Sequence, residues 1–236
     1  MFEKPIQSQT YAAPRVEIRP LLRNVYALMT MGLLVTALAA YLTASTPALR
    51  SLLSYPLVVF GAFIVQLILV GTLAVAVRKL SVGAATAIFF LYAAANGFTL
   101  SMILLMYELG TLTLAFVSTS ALFGAMTIVG LTTKMDLTKW GTFLFMGLIG
   151  LVIAMLVNFF LRSSVFDLII SVIGVLLFTG LTAYDTQKIV RMASDPAIQA
   201  GDSDLMRKLS VMGALSLYLD FLNLFLFILR LMGRRR

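Results

Sequence analysis

Two aspartates stand where apolar residues dominate: Asp185 in LTAYDTQKI (181–189) and Asp220 in SLYLDFLNLFLFILR (216–230). A carboxylate inside an apolar helix is a candidate proton relay, cation ligand or counter-ion, because hydrocarbon solvates charge poorly. Insertion scales put a central Asp at about +2.5 to +3.5 kcal/mol. Asp220 lies roughly ten residues from either end of its run, about 15 Å at 1.5 Å per residue. The plainer alternative is a protonated Asp220 tied to a nearby hydroxyl, amide or carbonyl. Asp185 is followed by Thr186, Gln187 and Lys188, so a helix-end role rivals a functional one there. Two carboxylates meeting in one low-dielectric pocket do not readily both ionise; they would share a proton and titrate as a unit. Ionised, they would favour a cation, held only transiently.

The neighbours of these aspartates define a path. Gly213, Ser216, Asp220 and Asn223 recur at three- and four-residue spacing and share one helix face. Ser171, Gly174, Thr182 and Asp185 form a second stripe, with Phe178 between them. Small and hydroxyl residues let two helices approach closely, so the stripes are expected to face each other. Ser216, Asn223 and Thr182 are then the expected lining of an ion path. Asn96 and Asn158 are expected to bridge helices as buried amides. With no histidine and no cysteine in the chain, thiolate chemistry and disulfides are excluded, and a proton response must come from carboxylates.

The elements that position these residues follow from composition. Hydrophobic residues make up 61% of the 236 and charged ones 12%, against roughly 25% charged in soluble domains. Apolar runs near 24–45, 57–77, 84–107, 111–132, 141–161, 165–187 and 209–230 are each long enough to cross a hydrocarbon core of about 30 Å. The expectation is an all-α integral membrane protein with seven transmembrane helices. Residues 1–23 form a polar tail with no signal-peptide core, 24–233 the helical domain, and 234–236 a basic tail.

The net charge of +8 is topological rather than a nucleic-acid footprint. Arg50 and Arg162 are the only basic residues on one set of alternate connections, whereas Lys4, Arg78, Lys79, Lys134, Lys139, Lys188 and others crowd the opposite set. That places the N-terminus in the cytoplasm. Seven full spans carry the MGRRR end to the other side, against the same rule; a re-entrant last helix would keep it inside. The seven-span arrangement is favoured. A basic pair such as Arg78–Lys79 at a helix end is, by itself, a snorkelling anchor.

LTAYDTQKI (181–189) with LSLYLDFLNLFLFILRLMG (215–233) resembles the paired C-terminal signature of the Bax-inhibitor (transmembrane Bax inhibitor motif) family, and SVGAATAIFFLYAAANGFTLS (81–101) resembles its third helix. The resemblance covers about residues 25–236 and is nearest to bacterial inner-membrane members. It implies a last helix surrounded by the other six and a pH-dependent calcium leak. It also implies a proton-sharing gate made by Asp185 and Asp220, and a latch arginine at Arg78. Gln66 stands where the family carries an acidic residue, which leaves the path less negative.

Three functions of different classes follow. The first is a pH-sensitive cation (calcium) leak channel. The second is a modulator of a membrane-bound ATP-dependent protease, acting through residues 1–23. The third is an intramembrane aspartyl protease. Such enzymes carry Gly-x-Gly before the second aspartate, whereas Leu217, Tyr218 and Leu219 stand here, and Pro47–Ala48–Leu49 precedes both aspartates. No enzyme and no cofactor are expected, with calcium entering only as a permeant ion. The chain is expected to be a monomer in the bilayer.

Overall fold

The computed structural model describes residues 18–77, 79–194, 198 and 202–233. The described helices are α1 (Ile18–Ser45), the short α2 (Pro47–Leu52), α3 (Pro56–Ala76), α4 (Val82–Met106), α5 (Leu109–Thr132), α6 (Gly141–Leu161), α7 (Ser164–Met192) and α8 (Ser203–Met232). A 3₁₀ turn, Leu137–Trp140, leads into α6. Seven of these elements are long and apolar enough to cross a membrane. At 1.5 Å per residue the 30 residues of α8 reach about 45 Å. It is continuous rather than re-entrant.

The boundaries have local causes. Pro47 and Pro56 sit in the first turn of α2 and α3, where a missing N–H costs nothing. Ser81, Ser163 and Asp202 cap α4, α7 and α8 by accepting from the N–H groups of Ala84, Phe166 and Leu205. Three expected spans run longer than their apolar cores, the first beginning at Ile18 rather than 24. The sixth continues past 187 to Met192, and the seventh begins at Ser203 rather than 209, because capped polar turns extend both helices beyond the apolar window.

Alternate helices run in opposite directions, so one end of the bundle, here the near end, holds the start of α1. The far end holds the α6–α7 connection and the end of α8. In α8, 61% of the most apolar stretch is buried inside the protein, against 33% or less in the other six. Its main neighbours are α1, α4, α5 and α7, while α3 packs on α4 and α6 on α7. Four helices are thus the main neighbours of α8, and α3 and α6 pack chiefly on α4 and α7.

Two glycines set the α7–α8 register. A methyl group on Gly213 would lie 3.0 Å from both Ile189 and Val25, and one on Gly174 would lie 2.6 Å from the Phe227 ring. At Gly174 a methyl would force the Phe227 ring to move, and at Gly213 Ile189 and Val25 would have to give way, so the helices approach closely. Phe178 stacks on Phe227 at 5.8 Å between ring centroids and fills the space beside them.

Candidate functional site: an aspartate pair between the last two long helices

Tyr218 fixes the rotation of α8. Its side chain is fully buried, and its ring meets Phe89 and Tyr92 of α4 edge-on, at 5.7 and 5.9 Å. The hydroxyl oxygens of Tyr218 and Thr36 lie 2.7 Å apart. Thr36 donates its single proton to the carbonyls of Gly32 and Ala93, at 3.0 and 2.9 Å, so Tyr218 donates to Thr36. Two residues further on, about 200° around the helix, Asp220 is turned to the opposite side of α8.

That side carries Gly213 and Phe227, both of which touch α7. The contacts of Ile189 with Gly213 and of Gly174 with Phe227 place Asp185 level with about Leu217. Asp220 is then roughly one helical turn, about 5 Å along the axis, from Asp185. The larger separation in depth that spans of 165–187 and 209–230 would impose is reduced by the extension of α7 to Met192. The two carboxyls are within electrostatic reach of each other, and Lys188 acts on both.

Their surroundings differ. Asp220 is 4% exposed, and its Oδ2 has no hydrogen-bond partner among the described residues. Asp185 lines a cleft of about 470 Å³ with Tyr184, Lys188, Leu181, Thr138 and Thr142. One carboxyl is therefore sealed, and the other borders an opening at the near end. Among the described residues no cluster of three or more acidic, His or Cys side chains exists.

The connection between α5 and α6 is strapped across this opening. The side-chain amide of Gln187 accepts from the Leu137 N–H and donates to the Met135 carbonyl, both at 2.8 Å. Arg191 donates to Thr138 Oγ1 at 3.0 Å and pairs with Asp136. Donation from the Thr138 hydroxyl, then from its N–H, with Arg191 adding to both, holds the Asp136 carboxyl below the usual carboxylate range. Sequence reasoning passed over this strap; the short interval between Asp136 and Thr138, an Asx turn, was the available signal.

The remaining expected residues divide. Thr182 is fully buried on the α8 side of α7, and its hydroxyl donates to the Phe178 carbonyl one turn back. Ser216 and Asn223 are half-buried on an adjoining, more open stripe of α8, and the Asn223 amide donates to the Leu219 carbonyl. Arg78, the expected latch, and residues 1–17 and 234–236 of the tails lie outside the described residues. Gln66 is directed to α4, where it donates to the Ala95 carbonyl at 2.8 Å and to Thr99 Oγ1 at 3.1 Å. The expectation that Asn96 and Asn158 bridge helices is corrected: Asn96 donates to Tyr92 in its own helix, and Asn158 accepts from the Ser163 N–H in the α6–α7 turn. Short amide side chains near a free local backbone group satisfy themselves there first.

Seven crossing helices with an aspartate on each of the last two define a multi-pass membrane protein, and its family is clear from comparison. The model of the family described as "Inhibitor of apoptosis-promoting Bax1" matches residues 18–236, and the chain belongs to this Bax inhibitor family. It is 45% identical to the inner membrane protein YbhL of Escherichia coli (strain K12) over 231 residues, 98% of each chain. A protein of Borreliella burgdorferi is 44% identical over 216 residues, 91% of this chain and 92% of that one. A membrane protein of Streptococcus pyogenes is 40% identical over 227 residues, 95% and 96% of the two chains. The chain is accordingly a multi-pass inner membrane protein.

Proposed function

We propose that the protein is a cation leak channel, with calcium as the permeant ion, whose opening is governed by a proton shared between Asp185 and Asp220. The observation that carries this reading is the asymmetry of the pair. A sealed carboxyl with an unpartnered oxygen stands about one turn from a carboxyl that borders a cleft. A structural carboxylate at this depth would be expected to have its hydrogen bonds satisfied within the protein. An unsatisfied one beside a second acid is the arrangement of a proton-exchanging site. The excess of basic residues on the near-end connections favours a cytoplasmic near end. In that orientation Asp185 faces the cytoplasm, and Thr182, Ser216 and Asn223 supply oxygens along the route past Asp220.

The test is calcium entry into dye-loaded proteoliposomes across pH 5–8, with the native chain beside Asp185→Asn and Asp220→Asn. Flux above that of empty vesicles, varying with pH, and loss of that variation in either variant is the expected result. Flux equal to empty vesicles, or variants that match the native profile, would overturn the reading and return Asp220 to a structural role.

A further inference from the structure

At the far end, away from the aspartate pair, α6, α7 and α8 enclose a second polar cleft of about 430 Å³, lined by Asn158, Arg162, Ser164, Asp167, Arg230 and their neighbours. Its charges form a set of two cations and one anion. Arg230 stands 4.0 Å from Asp167 and lies over the Phe227 ring at 5.5 Å, so its guanidinium is positioned but its donors are only loosely engaged. Arg162 is exposed, and no ion pair holds it among the described residues.

The backbone at Arg162 is informative. It closes α6 in the left-handed region (φ 51°, ψ 33°), with its N–H on the Asn158 carbonyl at 2.7 Å. Among the described residues it is the only one other than glycine with positive φ. Glycine would take this cap without strain, whereas a residue with a Cβ is disfavoured by roughly 1 kcal/mol. An arginine at the cap projects a guanidinium into the cleft at that cost. It also stands on one of the far-end connections, where Arg50 is the other basic residue.

The apolar surface continuous with this turn points to the source of the ligand. Phe159, Phe160, Leu161 and Val165 are 72%, 80%, 63% and 67% exposed, forming a skirt where acyl chains lie in a bilayer. We propose that this cleft binds the phosphodiester headgroup of a membrane lipid, with Arg162 and Arg230 on the phosphate and Asp167 facing a headgroup ammonium. Guanidinium groups suit phosphate because their N–H donors match two oxygens at once. A zwitterionic headgroup matches all three charges, and a free phosphate matches only two of them and makes no use of the skirt. This inference is independent of the channel reading.

The test uses the full-length protein, delipidated in a non-ionic detergent and titrated with short-chain phosphatidylethanolamine, the diacylglycerol of the same chains, and inorganic phosphate, with binding read by native mass spectrometry. Saturable binding of the phospholipid, about ten-fold tighter than that of diacylglycerol, is expected. Arg162→Asn and Arg230→Gln should each weaken it by about ten-fold, while Arg50→Gln leaves it unchanged. Asn tolerates the left-handed cap, so the first variant removes charge without new strain. Arg162→Gly relaxes the cap, and should be at least as heat-stable as the native chain yet lose the lipid. Competition by inorganic phosphate at millimolar levels would support the phosphate subsite, and tighter binding of phosphatidylethanolamine than of phosphate identifies the lipid as the source. Equal binding of diacylglycerol and phospholipid, or equal behaviour of Arg162→Asn and Arg50→Gln, would reduce both arginines to interfacial anchors and overturn the proposal.

Discussion

The hydroxyl of Tyr218 donates to that of Thr36 across 2.7 Å, and this bond between α8 and α1 also decides where Asp220 points. Asp220 follows Tyr218 by two positions of helix, so locking one side chain toward α1 and α4 turns the other toward α7. Removing the bond should loosen that orientation. Tyr218→Phe is expected to lower stability by about 1 kcal/mol, the net worth of a neutral hydrogen bond, and Tm by about 2–4 °C. Thermal unfolding in detergent measures it. Thr36→Val should cost a similar amount, and the double variant less than the two losses added together. Strictly additive losses would mean that the two hydroxyls do not support each other.

Asp220 is expected to trade stability for function. Asp220→Leu replaces a buried carboxylate that has an unpartnered oxygen with an apolar side chain, in a site where insertion scales charge Asp about 2.5–3.5 kcal/mol. The variant should unfold at a higher temperature than the native protein and carry no pH-dependent flux. A lower unfolding temperature would instead reveal a structural bond to Asp220.

The strap should control access to Asp185. Since the natural chain has no cysteine, a single Thr142→Cys substitution reports on the cleft without background. Arg191→Gln or Asp136→Asn is expected to raise the rate at which a water-soluble thiol reagent modifies that position by about three-fold or more. Exchanging the two charges, Asp136→Arg with Arg191→Asp, should restore the slow rate. Unchanged rates in the single variants would show that the connection does not cover the opening.

The strap should not be the source of a pH response near neutrality. The folded Asp136 carboxyl titrates below its unfolded value, which is about 3.9. A depressed value means that its contribution is complete above about pH 4 and fades only as pH falls through the lower, folded value. Flux in Asp136→Asn should therefore keep the native shape of its profile between pH 5 and 8. A profile displaced within that range would assign the sensing to the strap.

The α7–α8 crossing should be intolerant of bulk. Gly213→Val must displace Ile189 and Val25, already 3.0 Å from where its Cβ would stand, and is expected to cost about 1–3 kcal/mol. It should also push α8 from α7 and weaken the coupling of the aspartates. Unfolding temperature and flux profile should change together; a loss of stability with an unaltered pH profile would separate the register from the site.

Most of the architecture was legible in the sequence because bilayer thickness imposes a length on every apolar run, and that constraint is local. The aspartate pair was legible for a related reason: a carboxylate in such a run is conspicuous without knowledge of its neighbours. The polar ends of α7 and α8 were harder. Ser203 to Lys208 continues α8 through capping by Asp202 rather than through apolar periodicity, and hydropathy stops at 209. The Tyr218–Thr36 bond and the Asp136–Arg191 pair join residues 182 and 55 positions apart, where no pattern of spacing foretells a partner. Asn96 and Asn158 misled because composition marks an amide as buried, whereas backbone geometry decides which carbonyl or N–H it meets.

The deep burial of α8 has a consequence for how the protein is made. Of the seven long helices described, the seventh in order is the most deeply buried, and it carries Asp204, Arg207, Lys208 and Asp220. It is apolar enough to cross a membrane, yet alone in lipid it would expose a carboxyl, Asp220, that it otherwise buries inside the protein. Burying that carboxyl requires α1, α4, α5 and α7, the helices that form the groove around it. Without α8 that groove would stand open to lipid, so the bundle is complete only once this thirty-residue helix has packed into it.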